Sequence, residues 1–412
     1  MTDWENIKLG NICEVVRGGS PRPIIDYITD ESDGVNWLKI GDVKETDKFF
    51  THDNEKIKPS GIPKTREVKA GDLILSNSMS FGRAFITLID GYIHDGWLRL
   101  RCDESRLDKE YLYYFLTSNL AQNQFKAIAT GSVVNNLKSD TVKAIKIDLP
   151  TLGEQKRIAE VLSMFDDKIK CNEEVNKNLE EQIRIICNAW LNDYVPFGGI
   201  CPSDWLLTPL SSFAKFISGY SYKGTELQES SVAMATIKNF DRKGGFKLDG
   251  YKEIVPSSKL KPEHHAELFD TLVAHTDLTQ NAEVIGNAEP ILSFSGYEDI
   301  IFSMDVVRVL PDKPNISKFL IAAMLKTQQF KTHCLGYVNG TTVLHLSKKA
   351  LPEYSLMLPE DFTVLHPLDE AVSSMYKQMA LNIDEIVQLT NLRDALLPQL
   401  MSGELDVSNL DL

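Results

Sequence analysis

From Glu154 to Asp193 the chain contains neither proline nor glycine. Over this stretch Ile158, Leu162, Phe165, Ile169, Asn172, Asn176, Leu179, Ile183, Ile186 and Trp190 follow one another at alternating steps of four and three. That is the seam of a coiled-coil helix, and it forbids a strand or loop there. Thr151 or Gly153 can cap its start and Pro196 lies just past its end. At ~1.5 Å per residue it is roughly 50 Å long, long enough to act as a spacer between two halves. The chain closes on a second such helix, with Leu368, Val372, Met375, Met379, Asn382, Ile386, Leu389, Arg393, Leu396 and Leu400 in the same rhythm. Pro367 suits its first turn and Gly403 its stop. Asn172, Asn176 and Asn382 are polar residues on a seam, which cost stability and select a register. Antiparallel pairing of the helices puts the Asn layers at one height. In the competing arrangement each helix packs on its neighbouring globular half and the Asn residues face water.

The length of 412 residues suits two domains or three. The formal net charge of -14 argues at first against a phosphate-binding partner. Residues 1–150, however, hold 20 Lys+Arg against 22 Asp+Glu, and residues 201–359 hold 16 against 17. Most of the acidic surplus therefore lies in the helices and tail, and either large segment can gather its bases on one face. No window has ~18 uninterrupted apolar residues and Met1-Thr2-Asp3-Trp4-Glu5 has no basic stretch, so neither a membrane span nor a signal peptide is expected. Cys13, Cys102, Cys171, Cys187, Cys201 and Cys334 are scattered with no Cys-x-x-Cys pair. We expect buried free thiols in a reducing, cytoplasmic setting, without a disulfide frame or zinc site.

The two halves match in order. Trp4, Leu9, Ile12, Val15, Val16 and Gly18 answer Trp205, Leu210, Phe213, Phe216, Ile217 and Gly219. Asn36–Val43 answers Ala233–Phe240, Lys69–Ser76 answers Leu268–His275, and Trp97–Leu100 answers Val306–Val309. A helix with Tyr111, Leu112, Phe115 and Leu116 answers one with Phe319, Leu320, Met324 and Leu325. Gly131–Leu137 answers Gly340–Leu346, and Ile147–Pro150 answers Leu356–Pro359, after which each long helix begins. The pattern is a tandem duplication: an α+β chain with curved, mainly antiparallel sheet. Two similar globular domains are separated by two long helices forming an antiparallel coiled coil, under an approximate two-fold. The expected divisions are 1–150, 151–195, 196–359 and 360–412.

Catalytic motifs are absent from the sequence. There is no Gly-x-x-x-x-Gly-Lys-Ser/Thr loop, no Gly-x-Gly-x-x-Gly after a strand and no His-Glu-x-x-His. His264-His265 reads as exposed surface, since neighbouring side chains diverge. Glu67-Val68-Lys69 and Glu154-Gln155-Lys156 are triplets that any charged chain contains, and the second suits a helix start. Ser293-x-Ser295-Gly296 lacks hydrolase spacing. The chain reads as non-catalytic.

Leu149-Pro150-x-Leu152-x-Glu154-Gln155-x-x-Ile158-Ala159-x-x-Leu162, with Asp166 and Ile169 after it, resembles the central conserved region of type I restriction–modification specificity subunits. Leu392-Arg393-Asp394-x-Leu396-Leu397-Pro398-x-Leu400-x-Ser402-Gly403-Glu404-Leu405 resembles the end of their distal conserved helix. Leu358-Pro359-Glu360-Asp361-Phe362 departs by lacking the Glu-Gln pair, which leaves the start of the distal helix open. The resemblance implies two target recognition domains, each reading half of a bipartite sequence in double-stranded DNA. It implies a coiled coil that sets the gap and docks two adenine methyltransferase subunits, which recruit restriction/translocase subunits. S-adenosylmethionine, ATP and Mg2+ would belong to those partners, and none to this chain. Half-sites met on one groove face would lie near one helical turn, ~34 Å, apart.

Polar and basic loops beside glycine are where base edges and phosphates can be met. In the first half these carry Arg17, Ser20 and Arg22; Asn77 with Arg83; and Ser132, Asn135 and Asn136 with Lys138. In the second half they carry Tyr220 and Lys223; Lys238 and Asn239; His275 and Thr276; Thr341 and Thr342; and the basic tip Arg242-Lys243. Each also reads as an ordinary surface turn, and Tyr220 and Tyr222 also read as core. Glu173, Glu174, Glu180 and Glu181 form a solvated acidic face or a surface for the methyltransferase, and Arg393 has a carboxylate partner in Asp394 or on the first helix. The expected function is DNA sequence recognition within a restriction–modification complex. The alternative is a coiled-coil scaffold whose globular ends bind proteins.

Overall fold

A computed structural model describes residues 4–44, 47–77, 82–129, 137–279 and 281–407. The chain folds as two compact units, Met1–Asp167 with Leu389–Leu412, and Lys168–Gln388. The division runs through both long helices, Leu152–Leu191 and His366–Met401, so each unit owns a stretch of each. Among the described residues no helix is long and apolar enough to cross a membrane.

In the first unit one five-stranded sheet runs in the order Cys13–Arg17, Trp97–Cys102, Leu73–Ser76, Ala84–Thr87, Phe49–Phe50. A second runs Ile28–Thr29, Lys56–Ile57, Val35–Leu38, Gly91–Ile93, Arg66–Val68. Leu73–Ser76 is buried along its whole length. Leu73 and Leu75 join the core beneath Tyr111, Leu112 and Phe115, while Ile74 packs with Phe50, Phe85 and Trp97. A strand buried on both faces shows no polar alternation. A ribbon, Glu5–Lys8 against Lys146–Leu149, brings the ends of the globular part together before the long helix.

The second unit repeats this plan. Ala214–Ser218, Val306–Pro311 and Thr271–Ala274 are neighbours in one sheet, and Val232–Ala235 runs parallel to Asp299–Phe302 as Val35–Leu38 does to Gly91–Ile93. Leu206–Pro209 pairs with Ser355–Leu358. Most pairings are antiparallel, as the turn-rich sequence implies. One match shifts by a residue: Asp72, not Gly71, corresponds to Asp270. Asp72 accepts from the Lys69 amide at 2.8 Å and Asp270 from the Glu267 amide at 2.9 Å, each just before its strand. Asn77 therefore corresponds to His275, as their shared bonding below also shows.

Every seam residue named from the sequence is buried or half-buried. In the second unit Asn172 donates to Glu385 Oε2 at 2.7 Å and Asn382 to Asn176 Oδ1 at 2.8 Å, while Asn176 reaches the Met379 carbonyl at 3.3 Å. Rising numbers meet falling ones, so the helices are antiparallel and their Asn layers bond to each other. In the first unit the same pairing brings Arg393 to Asp166 at 2.7 Å and to Asp394 at 2.8 Å, and gathers Ile158 and Leu162 with Leu400 and Met401. Replacing Asn382 alone by leucine should cost about 1–3 kcal/mol in the second unit, because Asn176 loses its donor inside the seam. Adding Asn176→Leu should recover most of that loss. Chemical denaturation of the three variants reads both steps, and a double variant no better than the single one would contradict the pairing.

Thr151, not Gly153, caps the first long helix. Its hydroxyl accepts from the Glu154 amide at 3.3 Å and its own amide donates to Glu154 Oε2 at 2.9 Å, a capping box. Gln155 is fully buried: it accepts from the Asp108 amide at 2.8 Å and donates to the Arg106 and Pro150 carbonyls, each at 2.9 Å. Since Asp108 itself caps helix Lys109–Thr117, Gln155 ties one helix start to another. The second unit, which lacks the Glu-Gln pair, ties Ser317, the cap of helix Lys318–Leu325, to Asp369. A short turn, Phe362–Leu365, precedes the distal helix, and Pro398 lies inside that helix.

Three expectations fail. Cys13 and Cys102, facing each other across adjacent strands, form a disulfide, although 89 residues separate them. Cys171 is an exposed thiol. His264 is buried, accepting from the Lys261 amide at 3.1 Å, and His265 pairs with Asp299 at 2.7 Å, so this pair is not free surface.

Candidate nucleic-acid interface

In the first unit the end of strand Cys13–Arg17 runs into Gly18-Gly19, and the close approach there needs glycine. A Cβ on Gly18 would fall on the His94 and Ile93 carbonyls, and one on Gly19 on the Lys64 carbonyl. This brings the following polar residues onto the turn His94-Asp95-Gly96. Arg17 Nε donates to the Asp95 carbonyl at 3.0 Å, and Ser20 Oγ donates to Asp95 Oδ1 at 2.9 Å. Arg22, 78% exposed, reaches Asp95 Oδ2 at 3.1 Å. Asn77, at the end of strand Leu73–Ser76, is buried and donates from Nδ2 to the Asp95 carbonyl at 2.9 Å and from its amide to the Gly96 carbonyl at 2.8 Å. Its own carbonyl accepts from the Leu137 amide at 2.8 Å, which places exposed Lys138 beside the cluster. Arg83 is half-buried and bonds through its backbone to Ser76 across the neighbouring hairpin. Ser132, Asn135 and Asn136 lie outside the described residues, as does Ser78.

The electrostatics of this cluster are basic around one carboxylate. Burial pulls the His94 imidazole below its ordinary range; Asp95 opposes this, and Arg22, Lys39 and Arg17 add to it. Burial works against the Asp95 charge, but the Ser20 bond, His94 and Arg22 hold the carboxyl below the usual range. The Gly96 amide donates to His94 Nδ1 at 2.9 Å, so the proton of neutral His94 sits on Nε2, which faces Asp95 Oδ1 at 3.0 Å. Asp95 and His94 were not among the residues expected from sequence. Their signal was a short His-Asp-Gly turn ahead of Trp97, which marks a bend and says nothing about what converges on it.

The second unit builds the same place from different residues. The Gly219 Cβ position is filled by the Ser303 and Phe302 carbonyls. His275 takes the place of Asn77: its amide donates to the Asp305 carbonyl at 2.9 Å and its carbonyl accepts from the Leu346 amide at 2.8 Å. Burial lowers the His275 pKa, with His345 and Lys348 adding to the effect. Thr276 is buried and donates to Asp305 Oδ1 at 3.2 Å. Met304, exposed, stands where the first unit has Asp95. Thr341 and Thr342 are exposed on the loop that leads to strand Leu344–Leu346. Arg242 and Lys243 form an exposed hairpin tip beyond which Gly244 and Gly245 take positive φ; Arg242 pairs with Glu283 at 3.2 Å. Lys223 and Lys238 are exposed on neighbouring turns.

Three residues expected to contact DNA are instead buried: Asn77, bonded to the Asp95 turn as described above, Tyr220 and Asn239. Tyr220 is 1% exposed, with its hydroxyl bonded to Glu226 at 2.6 Å and Ser257 at 2.9 Å, so its ring cannot stack on a sugar. Asn239 is fully buried, accepting from the Thr236 amide and donating to the Lys247 carbonyl, both at 2.8 Å. The acidic face is also smaller than expected. Glu173, Glu174 and Glu181 are exposed, but Glu180 pairs with the enclosed Lys326, which Glu289 holds at 2.6 Å from its other side. Among the described residues no cluster of His, Cys, Asp or Glu could hold a metal ion.

A duplicated α+β module that offers matching polar loop clusters is the layout of a two-part recognition protein. Residues 1–181 match the family model for the type I restriction modification DNA specificity domain. The chain is 22% identical to the type I restriction enzyme MjaIX specificity subunit of Methanocaldococcus jannaschii, over 99% of this chain and 95% of that one. It is 21% identical to the HindI specificity subunit of Haemophilus influenzae, over 98% of this chain and 100% of that one. The crystal structure of a type I restriction–modification S subunit from M. genitalium shares its fold, with a TM-score of 0.55 and 17% identity over 97% of this chain and 96% of that one. Over nearly its whole length the chain is thus similar to type I restriction enzyme specificity subunits, and its first 181 residues match their DNA specificity domain.

Proposed function

We propose that each unit reads one half of a bipartite duplex target through its loop cluster, the first around Asp95 and the second around the Ser303–Asp305 turn. The protein is the non-catalytic DNA specificity subunit of a type I complex. The observation that carries the two-part reading is the repetition itself. The same glycine approach, turn and strand end recur in both units with different side chains, which suits two readers of different sequence. In the first unit Arg17 and Arg22 suit guanine edges or phosphates. In the second, the Arg242-Lys243 tip suits phosphates, and His275 and Thr341 suit base edges.

Partner docking follows from the same reading. Two methyltransferase subunits would dock on the helices, where Val175, Ile185 and Leu381 are exposed apolar residues, and restriction subunits would join through them. S-adenosylmethionine, ATP and Mg2+ would be bound by those partners, in the cytoplasm.

The complex of this chain with its methyltransferase subunit, incubated with a random duplex library, should enrich a split motif: two constant halves around an unread gap. A single continuous motif, or no enrichment, would overturn the two-reader function.

A further inference from the structure

Among the described residues of this cluster Asp95 is the one acid, set among Arg17, Arg22, Ser20 and His94. Among the described residues three donors reach its carboxylate: Ser20 Oγ, Arg22 Nη2 and His94 Nε2. A carboxylate has about four acceptor directions, and Asp95 keeps 27% of its side chain in contact with solvent. A carboxylate in this position does two things that its arginine neighbours cannot. It repels phosphate from the middle of a basic loop, and it accepts from the exocyclic amino group of a base, as Asp and Glu do with cytosine N4. The corresponding position of the second unit holds Met304, 57% exposed, which can do neither.

We propose that Asp95 is a specificity-determining residue of the first unit. It would orient Arg22 and Ser20 and accept a base amino group, so that the loop binds one half-site and resists unselective phosphate binding. Arg22 would supply the adjoining contact to a base edge or phosphate, and Ser20 would keep the carboxylate facing it. This rests on the DNA-reading function proposed above, and it goes beyond it in assigning discrimination at one half-site to a single carboxylate.

The test uses the complex with methyltransferase subunits carrying Asp95→Asn, which keeps the side chain's shape and removes its charge. Preference at one or two positions of one half-site should fall about tenfold or more, while binding to unrelated duplex strengthens and preference at the other half-site stays as in the wild type. The untouched half-site reports that the complex is folded. Arg22→Ala, at an exposed position, should weaken binding to unrelated duplex and flatten its salt dependence by about one phosphate contact. Unchanged preference at both half-sites in Asp95→Asn would overturn the proposal, as would loss of preference at both. If the wild-type complex itself shows no split preference, the two-reader function fails first, and that result is distinct from either outcome for Asp95.

Discussion

Asp270→Asn is expected to destabilise the second unit by about 3–5 kcal/mol. Asp270 is fully buried, holding Arg308 at 2.9 Å and Lys318 at 2.7 Å. The Arg308 side chain is only 9% exposed and also donates to the Glu263 and His265 carbonyls. An amide in place of the carboxylate leaves that guanidinium enclosed without a counter-charge, and an enclosed unpaired charge is far costlier than a lost surface pair. The first unit provides the control. Asp72 occupies the corresponding position, but its partner Arg101, at 2.7 Å, is 39% exposed. Asp72→Asn should therefore cost about 1 kcal/mol or less, because water can solvate the released arginine. Urea denaturation followed separately for the two units reads the contrast, and equal losses would contradict the assigned burial.

Gly219→Ala should cost about 3 kcal/mol, and Gly18→Ala about as much. In each case the new methyl group would occupy the position of two backbone carbonyls on the facing turn, which cannot move without breaking the strand pairing behind it. Gly224, five residues on, has nothing within 4 Å of its Cβ position, so Gly224→Ala should change stability little. Thermal denaturation of the three variants measures the difference. A tolerated Gly219→Ala would mean that the turn Ser303–Asp305 does not press on the loop as described. Both costly glycines underlie the proposed reading clusters, so surviving protein should also bind duplex less selectively.

The long helices and their seams were legible residue by residue, because helical periodicity is a local property. A four-three spacing decides which side of a helix is apolar whatever that side meets. The antiparallel Asn176–Asn382 match could be anticipated for the same reason, since spacing along two helices fixes heights once a direction is chosen. The duplication was also visible in order, with a one-residue slip at Asp72 and Asp270 that only strand register corrected. The interiors of the candidate sites were less legible. Tyr220 and Asn239 stand in loops whose composition suits DNA, yet the turns that hold them consume their polar atoms inside the unit. Cys13 and Cys102 look unrelated until sheet pairing sets them opposite each other. Glu180 looks like solvated surface until the helix packs over Lys326.

What the amino-acid order determined by itself was the repeat, the two helices, their polar seam layers and the loops rich in donors. What only the tertiary structure decided was convergence: that Arg17, Ser20, Arg22 and Asn77 all meet one unremarked acid, Asp95. The physical reason is range. Helix spacing and turn chemistry act between residues a few positions apart. A carboxylate shared by side chains up to 75 positions away exists only after strand pairing has closed the intervening chain.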